Sequence, residues 1–268
     1  MALRDITLGQ YFPGESPIHR LDPRAKLVAM ICYIVALFLG KWFVSYALLL
    51  LILAAVVKVS TVKPRALVRG LKPVVFILVF TAVLNIFYTP GQALVSFWIF
   101  TITKEGLLHA FFMVVRIVML ITCTFLLTYT TSPLALTDGL ESLLGPLKKL
   151  RVPVHELSMM MSIALRFIPT LIEETDKIMS AQRARGADFD SGNLIQRAKA
   201  LIPLLVPLFI SAFRRADELA TAMECRCYHG GEGRTRMKQL HWRPGDVLFM
   251  LGALAAAVAA GVLGCWGL

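Results

Sequence analysis

Acidic residues are scarce in this chain: 17 Asp and Glu stand against 28 Lys and Arg in 268 positions. Charge of either sign makes up only 17% of the residues, where soluble domains carry about 25%. Cysteine is sparse too. The five, at 32, 123, 225, 227 and 265, are scattered, and three lie in apolar runs. That spacing gives no disulfide framework and suits a reducing compartment. A GxxxxGK[ST] loop is missing, so the chain has no nucleotide-hydrolysing site of that kind. His155-Glu156 has no second His at zincin spacing. Glu173-Glu174 is an adjacent acid pair, but no matching Arg follows and no His pair accompanies it. Cys225-x-Cys227-x-His229 offers three donors, whereas a closed zinc site needs a fourth. Its plainer reading is two small residues flanking an Arg at a helix end. We therefore expect no catalytic set, metal or cofactor. The N-terminal residues lack an uninterrupted apolar core, so no cleavable signal peptide is expected.

What the chain does have is hydrocarbon. It is 57% hydrophobic, with a mean hydropathy of +0.70. This composition reads as an all-α integral membrane protein in a lipid bilayer, with about five transmembrane helices and three amphipathic ones. The net charge of +11 would suggest nucleic acid in a soluble protein. Here it fits the Lys and Arg enrichment of cytoplasmic loops, and no nucleic-acid partner is expected.

Asp22-Pro23 reads as a helix start, with Asp as N-cap and Pro at the first helical position. The apolar run 27–57 would be ~46 Å long as one helix, against a hydrocarbon core of ~30 Å. Gly40-Lys41 divides it into spans at about 27–39 and 43–57. A third span covers about 71–88. Asn85 within it is expected to make a helix–helix hydrogen bond. The aromatic, β-prone stretch 91–105 reads as an interfacial loop or hairpin. A fourth span, 106–128, contains Arg116. An Arg at the bilayer centre costs ~2.5–3.5 kcal/mol on insertion scales and usually faces protein or water. A pair with a carbonyl or an acid on another helix is expected. A last span covers about 246–266.

Between them, residues 133–243 alternate apolar and charged positions at helical spacing, giving helices at about 134–150, 155–186 and 193–228. Pro146, Pro153, Pro169, Pro203 and Pro207 kink or bound them. Glu173 and Glu174 precede Lys177 in the orientation that favours surface pairs. Met159-Met160-Met161 reads equally as core filler or as adaptable contact surface. The organisation is an N-terminal membrane domain, 1–132, with four spans, a helical domain, 133–243, and a C-terminal transmembrane helix, 244–268. The positive-inside rule puts the N-terminus and residues 133–243 in the cytoplasm and the C-terminus outside.

Two helical patterns in the charged region end alike, in Ala184-Arg185-Gly186 and in Cys225-Arg226-Cys227, the two Arg standing 41 positions apart. A helix C-terminus carries unsatisfied carbonyls and partial negative charge. A guanidinium there can cap the helix or fork onto a partner carboxylate. Small neighbours allow close approach.

Together with Ser16-Pro17-Ile18-His19-Arg20-Leu21-Asp22-Pro23-Arg24-Ala25-Lys26-Leu27, these stretches resemble the T component of energy-coupling-factor (ECF) transporters over essentially the whole chain. The resemblance implies a non-catalytic coupling subunit of a vitamin or micronutrient importer. It implies two ABC-type ATPase partners, one docked by Ala184, Arg185 and Gly186, the other by Cys225, Arg226 and Cys227. It further implies a small membrane substrate-binding subunit resting on the same helices, with Met159, Met160 and Met161 as its contact. The second motif departs from the family pattern, placing Cys where Ala and Gly or Ser are usual. The competing readings are a self-contained secondary carrier, for which only Arg116 and Asn85 supply intramembrane polarity, and a subunit dedicated to cobalt, nickel or biotin.

Overall fold

A computed structural model describes residues 11–40, 42–91, 93–97, 100–189, 193–231 and 239–266. The N-terminal ten residues, Lys41, Trp98, Ile99, Arg234, Arg236 and Lys238 lie outside the described residues. Two compact units divide the chain, one of residues 11–140 with 240–268 and one of residues 141–239.

The first unit is built from apolar helices. They are α1 (Pro23–Leu39), α2 (Phe43–Val59), α3 (Pro64–Leu71), α4 (Val75–Tyr88), α5 (Lys104–Thr130) and α10 (Pro244–Trp266). Asp22 caps α1 as its sequence demands: the carboxylate accepts from the Arg24 N–H at 2.9 Å and Pro23 occupies the first turn. Gly40 ends α1, and its N–H donates to the Ala36 carbonyl. A 3-10 turn at Lys72–Val74 joins α3 to α4, so the third span starts earlier than its apolar run. Three stretches are long and apolar enough to cross a membrane: 64–88, 104–130 and 244–264. The 17-residue α2 is a shorter apolar helix.

The stretch after Pro90 forms an antiparallel pair, β1 (Ala93–Phe97) and β2 (Phe100–Thr103), with an irregularity between Ala93 and Val95. This small ribbon is the one departure from an all-α chain among the described residues. Its far side is tied down where Thr103 Oγ1 donates to the Thr89 carbonyl at 2.9 Å and also caps α5.

Helix directions follow from the contacts. At one end of the unit, Lys26 Nζ in α1 donates to the Thr130 carbonyl (2.9 Å) and Thr131 Oγ1 (3.1 Å), just beyond α5. Asp246 at the start of α10 accepts from the N–H groups of Asp22 and Arg243, both at 2.8 Å. The start of α1, the end of α5 and the start of α10 therefore share an end. Tyr33, Ala36, Leu37, Tyr46, Leu49, Leu53, Met119, Ala257 and Ala260 form the core. Two tyrosines satisfy free carbonyls in it, Tyr33 on Leu49 and Tyr46 on Leu37.

The second unit holds most of the amphipathic helices. α6 (Pro133–Leu144) leads into it and runs on as a 3-10 stretch, Gly145–Leu150. α7 (Val154–Ala184) spans 31 residues and carries Pro169 inside it. The third amphipathic helix, expected as one piece, is two: α8 (Leu194–Ala200) and α9 (Ile202–Glu224), broken at Leu201. Pro203 fits the break: it has no N–H to continue the ladder of α8 and sits in the first turn of α9, where none is needed. α7 and α9 pack antiparallel. Gln182 Nε2 near the end of α7 donates to the Pro203 carbonyl at the start of α9 (3.3 Å), while Glu174 meets Ser211 and Arg215 further along. Surface pairing of Glu173 and Glu174 with Lys177 was expected; Glu174 instead turns across the hairpin to α9. One carboxylate oxygen takes Arg215 at 2.6 Å and the other the Ser211 hydroxyl, and this part-buried pair of donors outcompetes an exposed lysine on the same helix.

Candidate functional site

Each small-Arg-small motif closes its helix by the same hydrogen-bond pattern. In the first, Gly186 N–H donates to the Arg183 carbonyl (3.0 Å) and Ala187 N–H to the Gln182 carbonyl (3.0 Å). In the second, Cys227 N–H donates to the Glu224 carbonyl (2.8 Å) and Tyr228 N–H to the Met223 carbonyl (3.1 Å). These are the two crossed bonds of a Schellman closure, with Arg185 and Arg226 at the equivalent C-cap position. The residue after each Arg has left-handed backbone, Gly186 at φ 88° and Cys227 at φ 54°. Glycine adopts that conformation freely, whereas a residue with a Cβ does so at a cost of about 1–2 kcal/mol. The second motif thus keeps the backbone of the first while substituting a strained thiol for glycine.

All six motif residues are exposed, so both guanidinium groups are available to a partner. Because α7 and α9 are antiparallel, the two caps sit at opposite ends of the hairpin. They are separated by roughly 35 Å along α9, at 1.5 Å per residue over its length. Behind the second cap, Gly231 packs on the ring of His155, where a Cβ would come within 2.5 Å of Cδ2. His155 Nδ1 is in turn 3.0 Å from Glu141. His229 lies against the Cys227 carbonyl at 2.8 Å. Among the described residues no three His, Cys, Asp or Glu side chains could hold a metal ion.

Met160 and Met161 are 57% and 50% exposed, which removes them from any core role. On α9, Leu205, Val206, Phe209, Ile210 and Phe213 are also more than half exposed, and Phe209 and Phe213 lie with ring centroids 5.6 Å apart. A surface this apolar on an amphipathic hairpin is a contact surface in search of a partner or a lipid.

Arg116 and Asn85, the two polar residues expected within the membrane, are both engaged. Arg116 donates from Nε to the Tyr46 hydroxyl at 2.8 Å and lies over the rings of Phe38 and Tyr46. Its partner is neither the carbonyl nor the acid that was expected, although Tyr46 passes the bond on to the Leu37 carbonyl. An aromatic hydroxyl and ring faces stabilise a cation without burying a second charge. Asn85 donates to the Thr81 carbonyl in its own helix (2.9 Å) and across to the Met113 sulfur in α5 (3.0 Å), so it does join two helices. No local pattern signals the Glu174–Ser211–Arg215 clamp, because its members are 37 and 41 residues apart and only the hairpin brings them together.

The molecule is thus a multi-pass membrane protein of the all-α class, apart from one small ribbon, with an amphipathic hairpin whose two ends are matched. The family model described as cobalt transport protein, CbiQ, matches residues 14–237. Among curated proteins, the chain is 56% identical over 261 residues to the energy-coupling factor transporter transmembrane protein EcfT of Thermosediminibacter oceani, covering 97% of this chain and 96% of that one. It is 52% identical over 266 residues to EcfT of Acidaminococcus fermentans, covering 99% of both. Against EcfT of Bacillus subtilis the identity is 50% over 253 residues, 94% of this chain and 96% of the relative. The chain belongs to this family of energy-coupling factor transporter transmembrane proteins.

Proposed function

We propose that the chain is the coupling subunit of an energy-coupling-factor importer for a vitamin or other micronutrient. Two ABC-type ATPase subunits hydrolyse ATP, and this chain passes their movement to a small substrate-binding membrane subunit. The observation that carries this reading is the pair of identical helix closures, each presenting an exposed Arg at its cap, at opposite ends of one hairpin. Arg185, between Ala184 and Gly186, serves one ATPase; Arg226, between Cys225 and Cys227, serves the other. Residues 133–243 act as the coupling domain, between the membrane domain 1–132 and the final helix 244–268. The exposed apolar face that includes Met160 and Met161, with Met159 beside them, receives the substrate-binding subunit. When the ATPases close, the cap positions move, and the clamp between α7 and α9 makes the hairpin respond as one lever. The N-terminus and the coupling helices face the cytoplasm and the C-terminus lies outside, as the positive-inside rule favours.

The test is co-purification of the two ATPases with Arg185→Glu, Arg226→Glu and the double variant. Each single change should weaken capture, and the double change should abolish capture and uptake. Full ATPase binding and uptake by the double variant would end this reading. A self-contained carrier needs an intramembrane ion site, and Asn85 and Arg116 are instead bonded to Thr81, Met113 and Tyr46.

A further inference from the structure

The first unit contains a cavity of about 650 Å³, lined by the loop before α1 and by α1, α2, α5 and α10. Where Leu49, Leu53, Ala257 and Ala260 join one cluster, α2 and α10 are packed with the core. Towards the end that holds the start of α1, the space opens between Ile52, Val56 and Val59 of α2 and Leu248, Gly252 and Ala256 of α10. The size is that of a site for a drug-sized ligand, commonly ~300–1,000 Å³. Its walls are almost wholly hydrocarbon. The few polar groups are already satisfied: Tyr33 is bonded to Leu49, and the Lys26 ammonium to Thr130, Thr131 and His19. Beyond these only the Cys123 thiol, a weak donor, faces the slot, so the interior suits a hydrocarbon chain.

The charges at its open end narrow the occupant. Val59, Leu21 and Gly245 line that end, and in the chain an exposed cation precedes each by one or two positions: Lys58, Arg20 and Arg243. The nearby acids are engaged, and Glu15 offsets the charge of Arg20. Asp22 caps α1, Asp246 accepts two backbone N–H groups, and Glu15 pairs with Arg20 at 3.4 Å. The Lys26 ammonium is bonded to His19, Thr130 and Thr131 and lies in the field of Asp22 and Asp246, so the charge left for the rim is that of Lys58 and Arg243. An apolar slot ending in a cationic rim is the complement of an anionic phospholipid, with acyl chain inside and phosphate at the rim.

We propose that this slot between α2 and α10 is a binding site for one anionic phospholipid, taken from the leaflet on the side where α1 begins. The lipid completes the packing that α2 and α10 leave open. Lys58 and Arg243 hold its headgroup, each contributing about five-fold in preference over a zwitterionic lipid.

Native mass spectrometry of the full chain, extracted from bilayers of phosphatidylglycerol and phosphatidylcholine, tests this. One phosphatidylglycerol should stay bound per chain when detergent has stripped other lipids. Gly252→Phe places a ring where an added Cβ meets nothing within 4 Å. It should abolish retention while leaving the helical content and melting temperature intact. Lys58→Gln with Arg243→Gln should keep a lipid but reduce the preference for phosphatidylglycerol about 25-fold. Equal retention by wild type and Gly252→Phe, or a preference unchanged in the double variant, would overturn the proposal. So would loss of the lipid on assembly with the other transporter subunits, which would assign the slot to a partner helix.

Discussion

Single residues set the terms at both helix ends. Gly186 and Cys227 hold the same left-handed backbone, but only glycine does so without strain. Gly186→Ala should therefore destabilise its cap by about 1 kcal/mol, while Cys227→Gly should be neutral to mildly stabilising. Thermal unfolding of the two variants in detergent would show the asymmetry. His19 is another residue whose environment decides its behaviour. It lies between the Ser16 hydroxyl (2.6 Å) and the Phe12 carbonyl (3.1 Å), an arrangement met by a neutral ring protonated on Nε2. Burial holds its pKa below the ordinary 6.5, the Phe12 carbonyl opposes that, and the Lys26 charge adds to it. A lowered pKa means the unfolded segment binds more protons than the folded one. The stability is therefore complete above about pH 6.5 and falls as pH drops below it. Hydrogen exchange across residues 11–21, corrected for intrinsic rates, should quicken between pH 7.5 and 5.5, and His19→Gln should remove that dependence.

Elements show what the amino-acid sequence could and could not disclose. The start of α1 was legible because Asp22-Pro23 is a local signal, and the break at Gly40 because a helix of 31 residues overshoots the bilayer. Both motif ends were legible as repeats. Their common closure was not, since cysteine does not announce a left-handed residue. The break at Leu201 was hidden by continuous amphipathic periodicity, even though Pro203 supplies its cause. Arg116 was read as needing a carbonyl or an acid; the aromatic pair Phe38 and Tyr46 comes from two other helices and could not be placed beforehand. The clamp between α7 and α9 is likewise tertiary. A double-mutant cycle on Glu174→Gln and Arg215→Gln should give a coupling of about 1 kcal/mol in stability, since both side chains are partly exposed. If the hairpin acts as one lever, both single variants should also lower uptake per ATP hydrolysed.

At the scale of the whole molecule, the last helix is anchored to the first. Asp246 is 1% exposed and accepts two backbone N–H groups, one from Asp22 across 224 positions of chain. Asp246→Ala leaves those donors buried and unpaired and should cost about 2–3 kcal/mol, seen as a lower melting temperature in detergent. The proposed orientation makes its own demand. A membrane-impermeant maleimide should label exposed Cys225 and Cys227 in inside-out vesicles and spare them in right-side-out ones. Two alike heads pointing opposite ways are related by an approximate dyad across the middle of α7 and α9. A two-fold partner pair would meet equivalent backbones either way round. What breaks that symmetry is chemical and local: glycine against thiol after each Arg, and the Gly231–His155 packing behind only one head. Under the proposed docking, the handedness of assembly would rest on these flanking residues rather than on the two arginines.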